Sequence, residues 1–277
     1  MRLGSLPLAV NASILFTELP LLQRFGAVKA AGFDAVELWW PFDRAVPART
    51  ETDALVSALD AADMRLVGLN LFAGDMAAGE RGVLSWPERT AEVRDNAAVV
   101  ADIAERTGCR LFNALYGQRR DDLPQEQQDD TAISNLVYVA GVVSTFGGAL
   151  LVEPLTAGEN GEYPLRTADD AVRVLDRVRD AGADNLRLLF DTYHLTNNGD
   201  DLVGVISRHG SRIGHVQIAD SPGRGQPGTG SISFDRVLKA LQDSGYAGYA
   251  ACEYRPVGPS AESFGWIPAQ TSPCRNA

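Results

Sequence analysis

Several apolar runs in this sequence stop on a residue able to do chemistry. "ALLVE" ends on Glu153, "LRLLFD" on Asp191 and "YAACE" on Glu253, and "IGHVQIAD" carries Gln217. A carboxylate that closes an apolar run is costly to bury without a partner. Three carboxylates and one amide oxygen make a hard, oxygen-rich donor set. Like charges brought together cannot all stay ionised unless a cation offsets them. Such a set suits a divalent metal ion, Mn²⁺ or Mg²⁺, and is a poor match for copper or an iron–sulfur cluster. Two earlier runs end on Glu37 and Asn70, His194 follows Asp191 by three residues, and His215 shares a strand face with Gln217 by period two. Each residue taken singly has a plainer reading, a strand-end polar group that caps the next helix.

These residues meet only if the chain folds so that the strand ends converge. Eight strand-like runs are expected at Leu8–Leu15, Ala35–Trp39, Arg65–Asn70, Leu111–Leu115, Ala149–Glu153, Leu186–Asp191, Ile213–Ile218 and Tyr249–Glu253. Between them the helical period marks Pro20–Ala31, Thr52–Ala62, Pro87–Thr107, Gln127–Phe146, Thr167–Ala181, Leu202–His209 and Phe234–Ser244. Gly32, Gly108, Gly147, Gly182, Gly210 and Gly245 follow these periodic stretches, where helix C-terminal caps belong. Strict alternation over 277 residues, with no linker or shift in composition, predicts one (β/α)₈ TIM barrel domain spanning residues 1–277. A doubly wound sheet would favour a glycine-rich phosphate loop after the first strand, and that position reads "SILFTELP". In a barrel, chemistry sits at the C-terminal strand ends.

Composition narrows the function classes. The formal charge of −11 repels phosphate backbones and argues against nucleic acid. No run of about 18 apolar residues exists to span a membrane. The first ten residues read as the lead-in to a strand, not as a signal peptide. Cys109, Cys252 and Cys274 are scattered and odd in number, as in a reduced, cytoplasmic protein.

The sequence also resembles a known family. "NASILFTELPLLQRFGAVKAAGFDAVELWWPF" (Asn11–Phe42), "LVEPL" (Leu151–Leu155), "FDTYH" (Phe190–His194), "GHVQIAD" (Gly214–Asp220), "PGTGSISF" (Pro227–Phe234), and "CEYRPVG" with the later "FGW" occur in the order and spacing of the xylose isomerase-like barrels. Within that superfamily they are most similar to the hydroxypyruvate isomerase branch. The resemblance spans nearly the whole chain. It implies a metal held by Glu153, Asp191, Gln217 and Glu253. Many relatives have His where Gln217 stands, and the branch with Gln leans further toward oxygen ligation; His215 is a substitute ligand to weigh against it.

The implied reaction is isomerisation of a small hydroxycarbonyl or sugar substrate through an enediolate, as between hydroxypyruvate and tartronate semialdehyde. Glu153 and Glu253 would be the catalytic acid and base. His194 would donate a hydrogen bond to a substrate oxygen, or else be bonded to backbone as a loop histidine. Glu37 would bind a substrate hydroxyl or orient a ligand, and Asn70 would contact substrate. Arg255 would hold an anionic carboxylate or pair with Glu262. Glu159 and Glu162 bring negative charge near the expected pocket mouth. Trp39, Trp40, Phe42, Phe72, Tyr116 and Trp266 are candidates to wall the pocket, and the glycine-rich loop Pro222–Ser231 to cover it as a flexible lid. Other readings on the same frame are a ketose epimerase, a polyol dehydratase and a non-enzymatic sugar-binding barrel. A multi-zinc endonuclease needs many histidines, and this chain has three. A homo-oligomer is implied by the resemblance alone.

Overall fold

In the computed structural model, which describes residues 1–268, strand and helix alternate around a closed barrel. The strands are β1 (Arg2–Leu3), β2 (Leu6–Asn11), β3 (Ala35–Leu38), β4 (Arg65–Asn70), β5 (Leu111–Asn113), β6 (Ala149–Val152), β7 (Leu186–Asp191), β8 (Ile213–Ile218) and β9 (Ala250–Cys252). The helices are α1 (Leu21–Ala30), α2 (Arg49–Ala61), α3 (Thr90–Thr107), α4 (Gln125–Ser144), α5 (Ala168–Asp180), α6 (Thr192–Asn197), α7 (Leu202–His209) and α8 (Phe234–Asp243). Strands β2 to β9 pair in parallel, and β2 pairs with β9 through Leu8↔Ala250 and Val10↔Cys252 to close the (β/α)₈ barrel. Strand β1 folds back antiparallel on β2. No helix of the described residues is long and apolar enough to cross a membrane. Cys109 and Cys252 are buried free thiols; Cys274 lies outside the described residues.

Period two sorts each strand into an outer and an inner face. Leu8, Val10, Val36, Phe112, Leu150, Val152, Leu188, Phe190, Val216, Ile218 and Cys252 join the main core, together with buried helix residues such as Phe25, Leu55, Val100 and Leu136. The other parity faces the barrel axis. Ala9, Ala35 and Ala251 form a small apolar layer with Val67 and Tyr249. Toward the C-terminal ends this inner face turns polar. Buried Asn11, Glu37, Asn70, Asn113, Glu153, Asp191, Gln217 and Glu253 mark the eight strand ends in turn.

Two register shifts hold this parity. One lies between Val36 and Glu37 opposite β4, and the other between Leu188 and Leu189 opposite β8. Each skips a residue on the partner strand, as a bulge does. Gly68 pairs with Glu37 and leaves it room: a Cβ there would lie 3.3 Å from the Glu37 Cβ and 3.4 Å from its Oε2.

Expected and observed elements differ in instructive places. The first and fourth expected strands run on to Leu15 and Leu115, but the ladders stop at Asn11 and Asn113 because the buried residues beyond belong to loops. Five of the six expected capping glycines have positive φ; Gly210 instead has φ −52° and opens a 3₁₀ turn into β8. The segment after Asp191 is the short helix α6, not an open loop. Helix α5 starts with a reciprocal cap: Asp170 N–H donates to Thr167 Oγ1 at 3.1 Å, and Thr167 N–H to Asp170 Oδ2 at 2.8 Å.

Gly68→Val should cost about 1–3 kcal/mol by overpacking the barrel interior. Urea denaturation of the variant beside the parent chain checks this, and an unchanged midpoint would contradict it.

Candidate active site

A cavity of about 1200 Å³ opens at the C-terminal end of the barrel, with Glu153, Glu253, His194, Asn70, Arg224 and Arg255 on its wall. Asp191, Gln217 and Glu37 are buried and do not line it. The hydrogen bonds allot the carboxylate oxygens unequally. In Glu253, Oε1 accepts from Trp39 Nε1 at 2.6 Å and Asn11 Nδ2 at 3.0 Å, and Oε2 from Arg224 Nη2 at 2.8 Å. In Glu153, Oε2 accepts from Asn113 Nδ2 at 2.6 Å, and Oε1 lies 3.8 Å from His194 Nε2. Asp191 caps α6: its Oδ1 accepts from the backbone N–H of Tyr193 at 2.7 Å and of His194 at 3.1 Å. Its Oδ2 is buried without a hydrogen-bond partner, 4.0 Å from Arg224 Nη2.

The same cap places His194. Its Nδ1 accepts the Thr156 backbone N–H at 3.0 Å and lies 2.7 Å from Thr156 Oγ1. That assignment leaves the ring proton on Nε2, beside Glu153. Burial drives the His194 pKa down to about 4, against the pull of Asp191, so the ring is neutral at pH 7. Burial drives Glu153 the other way, up to about 8, with the Asp191 charge adding to it. Glu253 is also raised well above the ordinary carboxylate range by burial, although Arg224 opposes the shift. Arg224 loses hydration by burial, but Glu253, Asp191 and Glu153 outweigh that loss and keep it charged. Its guanidinium also stacks over Tyr193, 5.4 Å from the ring centre.

The donor set fits a hard divalent cation. Two buried oxygens, Asp191 Oδ2 and Gln217 Oε1, have no hydrogen-bond partner, and a buried acceptor left bare is costly. Glu153, Asp191 and His194 also bring one ligand atom each within 4.8 Å of one another. His194 suits that set less well, because the proton on Nε2 would have to leave and the Thr156 bond pins Nδ1.

Of the residues expected from the sequence, Glu153, Glu253, His194, Asn70 and Arg255 meet at the cavity, with Asp191 and Gln217 beneath. Glu37 sits deeper, where three side chains donate to it. Glu262 does not pair with Arg255; among the described residues no carboxylate comes within 4.0 Å of that guanidinium. Glu159 is engaged by Tyr193 Oη at 2.7 Å, and Glu162 lies off the cavity beside Arg166. Trp39 and Trp40 line the cavity, whereas Phe42, Phe72, Tyr116 and Trp266 do not.

Sequence reasoning missed Asn11, Asn113 and Arg224. The two asparagines sit where an apolar run overshoots its ladder, and counting period two from Val10 or Phe112 would have found them. Arg224 gave no local signal. The loop that carries it is laced by hydrogen bonds: Asp220 collects the backbone N–H groups of Ser221, Gly228, Gly230 and Ile232 at 2.8–3.0 Å.

A sequence model of the family described as Xylose isomerase-like TIM barrel matches residues 25–270. This protein belongs to that family. Within the xylose isomerase-like barrels it is 49% identical over 264 residues to the putative hydroxypyruvate isomerase of Streptomyces coelicolor, covering 94% of this chain and 95% of the relative. It is 33% identical to the hydroxypyruvate isomerase of Escherichia coli, covering 94% and 97%. It also superposes on a crystal structure from Brucella melitensis called AP endonuclease, family 2, with a TM-score of 0.86 and 31% identity over 94% and 97% of the two chains. The chain is an isomerase of this family.

The site sets a pH dependence for this xylose isomerase-like barrel. Above pH 6.5, an unfolded chain has released the Glu153 proton, while the folded, cation-free chain keeps it to about pH 8. The folded state then binds more protons, so stability falls as pH rises. Below pH 6.5 His194, neutral when folded, acts in the opposite sense. Protein treated with EDTA should therefore lose stability from pH 6.5 to 8, by up to about 1.4 kcal/mol per pH unit for each retained proton. Glu153→Gln should shallow that slope; an unchanged slope in urea titrations would contradict the assignment.

Proposed function

We propose that this isomerase acts on a small 2-hydroxycarbonyl acid and interconverts hydroxypyruvate and tartronate semialdehyde through an enediolate. One observation carries the reading: two buried glutamates, Glu153 and Glu253, share one cavity with a neutral histidine whose Nε2–H sits beside Glu153. Isomerisation moves a proton from the hydroxymethyl carbon of hydroxypyruvate to its carbonyl carbon, while the hydroxyl proton passes from the first carbon's oxygen to the second's. One glutamate takes that proton and the other returns one to the neighbouring carbon. Both carboxyls hold a proton more readily than exposed ones do, as a group that gives and takes protons near neutral pH requires. His194 donates from Nε2 to the oxygen that gains charge, and it does so uncharged, which avoids trapping the enediolate as an ion pair. Glu153, Asp191, Gln217 and Glu253 would hold a divalent ion, Mn²⁺ or Mg²⁺, which when bound polarises the carbonyl and hydroxyl oxygens as a Lewis acid.

Arg224 and Arg255 put positive charge on the cavity wall and favour an anionic substrate. The names of the Streptomyces and Escherichia relatives agree with that substrate class. Net charge −11 and a single histidine among the cavity residues disfavour a nucleic-acid substrate, whatever the Brucella relative is called. The buried free thiols Cys109 and Cys252 suit a cytoplasmic setting.

Proton exchange followed by NMR in D₂O tests the reaction. Chain loaded with Mg²⁺ should place deuterium beside the carbonyl of hydroxypyruvate and yield tartronate semialdehyde. A panel of longer keto acids and ketoses belongs in the same experiment, because the cavity is large for a three-carbon acid. Return of the proton to the same carbon of a ketose, with no hydroxypyruvate exchange, would make the chain an epimerase instead. Glu153→Gln and Glu253→Gln should each lower turnover by about 10²–10⁴-fold while the fold persists. Full activity in either variant would end the two-glutamate mechanism. EDTA should abolish turnover and Mn²⁺ or Mg²⁺ restore it; activity surviving complete metal removal would end the cation assignment.

A further inference from the structure

Glu37 is buried below the cavity floor and makes no contact with it, yet it is tied to two residues that do the work above. Its Oε1 accepts from Gln217 Nε2 at 2.8 Å and from Asn11 Nδ2 at 2.9 Å, and its Oε2 lies 2.5 Å from His215 Nε2. The orientations of these partners are not free. Asn11 Oδ1 accepts the Ser13 backbone N–H at 2.9 Å, so its Nδ2 must face the carboxylates, and it bridges Glu37 to Glu253 Oε1. The His215 Nδ1 is buried without a partner, which places the ring proton on Nε2, toward Glu37. Gln217 is the decisive case. A carboxylate accepts and does not donate, so it draws the NH₂ of the Gln217 amide and turns the carbonyl oxygen away. That oxygen is buried and bare.

We propose that Glu37 is a positioning residue: it fixes the Gln217 amide with its oxygen presented to the cation and steadies Glu253 through Asn11. The proposal rests on the cation-assisted isomerase reading of this site. A neutral amide can offer a cation either a good ligand or a repulsive NH₂ group, and nothing in the side chain itself selects between them. A carboxylate in this place would need no such selection, so the acceptor beneath Gln217 is the feature that makes an amide usable here. Gly68, whose absent Cβ leaves Glu37 its room, belongs to the same device.

A variant of the same shape separates positioning from bracing. Glu37→Met removes the acceptor beneath Gln217, and nothing then holds the amide NH₂ away from the cation. Mn²⁺ alone is the probe, measured by titration calorimetry and by the electron spin resonance of free Mn²⁺, with thermal melts confirming the fold. Glu37→Met should weaken Mn²⁺ binding about 10-fold or more, the scale of lost outer-shell support. The paired change Glu37→Met with Gln217→Glu should recover most of that loss, because a carboxylate offers an oxygen whichever way it turns. Parent-like affinity in Glu37→Met, or no recovery in the pair, would overturn the proposal. If Glu37→Met does not fold, Glu37→Asp carries the test: it keeps the charge but draws the carboxylate back from Gln217, so weakened Mn²⁺ binding that Gln217→Glu recovers supports the proposal, and unchanged binding overturns it. A parent chain that binds no Mn²⁺ would remove the cation reading and this inference together, whereas loss of the inference alone leaves parent binding intact.

Discussion

Four carboxylates, Glu37, Glu153, Asp191 and Glu253, are drawn into the mouth of one barrel, where little water is left to spread their charge. Every other feature of the site answers that constraint. Arg224 supplies one full positive charge, on Glu253 and near Asp191. Asn11, Asn113, Gln217 and the Trp39 indole supply N–H groups, and α6 supplies two more from its first turn. These donors satisfy some oxygens fully and leave others bare. Two of the bare ones, on Asp191 and Gln217, come from neighbouring strands in direct register. What remains unbalanced is taken up by protonation, with Glu153 and Glu253 both pushed upward.

The barrel solves the geometric half of the problem with period two and two bulges. Each strand contributes an inward polar residue near its C-terminal end, so no long loop has to reach across to build the floor. Apolar neighbours on the opposite parity pack against the helices and hold the strand rigidly. The cost of an internal polar layer is met by eight strands each burying an outer apolar face, a large apolar area beside a few desolvated groups. Rigid strands also hold the neutral His194 ring in place: it stands on a helix whose first turn is nailed to Asp191.

Much of this was legible in the residues. The alternation of periods gave the barrel, and the carboxylates that close apolar runs gave Glu153, Asp191 and Glu253, because buried charge next to Leu, Val and Phe is hard to explain otherwise. Gln217 was legible from its parity in "IGHVQIAD". Asn11 and Asn113 were obscured because the residues after them, Ala12 to Leu15 and Ala114 to Leu115, are largely buried in loops and look like strand. Orienting a ligand was one of two readings open for Glu37 in the sequence; its partners were not legible, since the three donors lie far away along the chain. Arg224 was hidden for the same reason: a glycine-rich stretch reads as slack until Asp220 is seen gathering its backbone N–H groups.

The bond from the Trp39 indole to Glu253 has an optical consequence. Indole emission responds to a charge held against its ring nitrogen, and here the neighbour is the buried Glu253 carboxyl. One of the four tryptophans of the chain is thus tied to the floor of the cavity by a 2.6 Å bond, and the protein carries its own dye. Light absorbed at the tryptophan band carries a report of that carboxyl without any label, and replacing Trp39 would remove the reporter bonded to it.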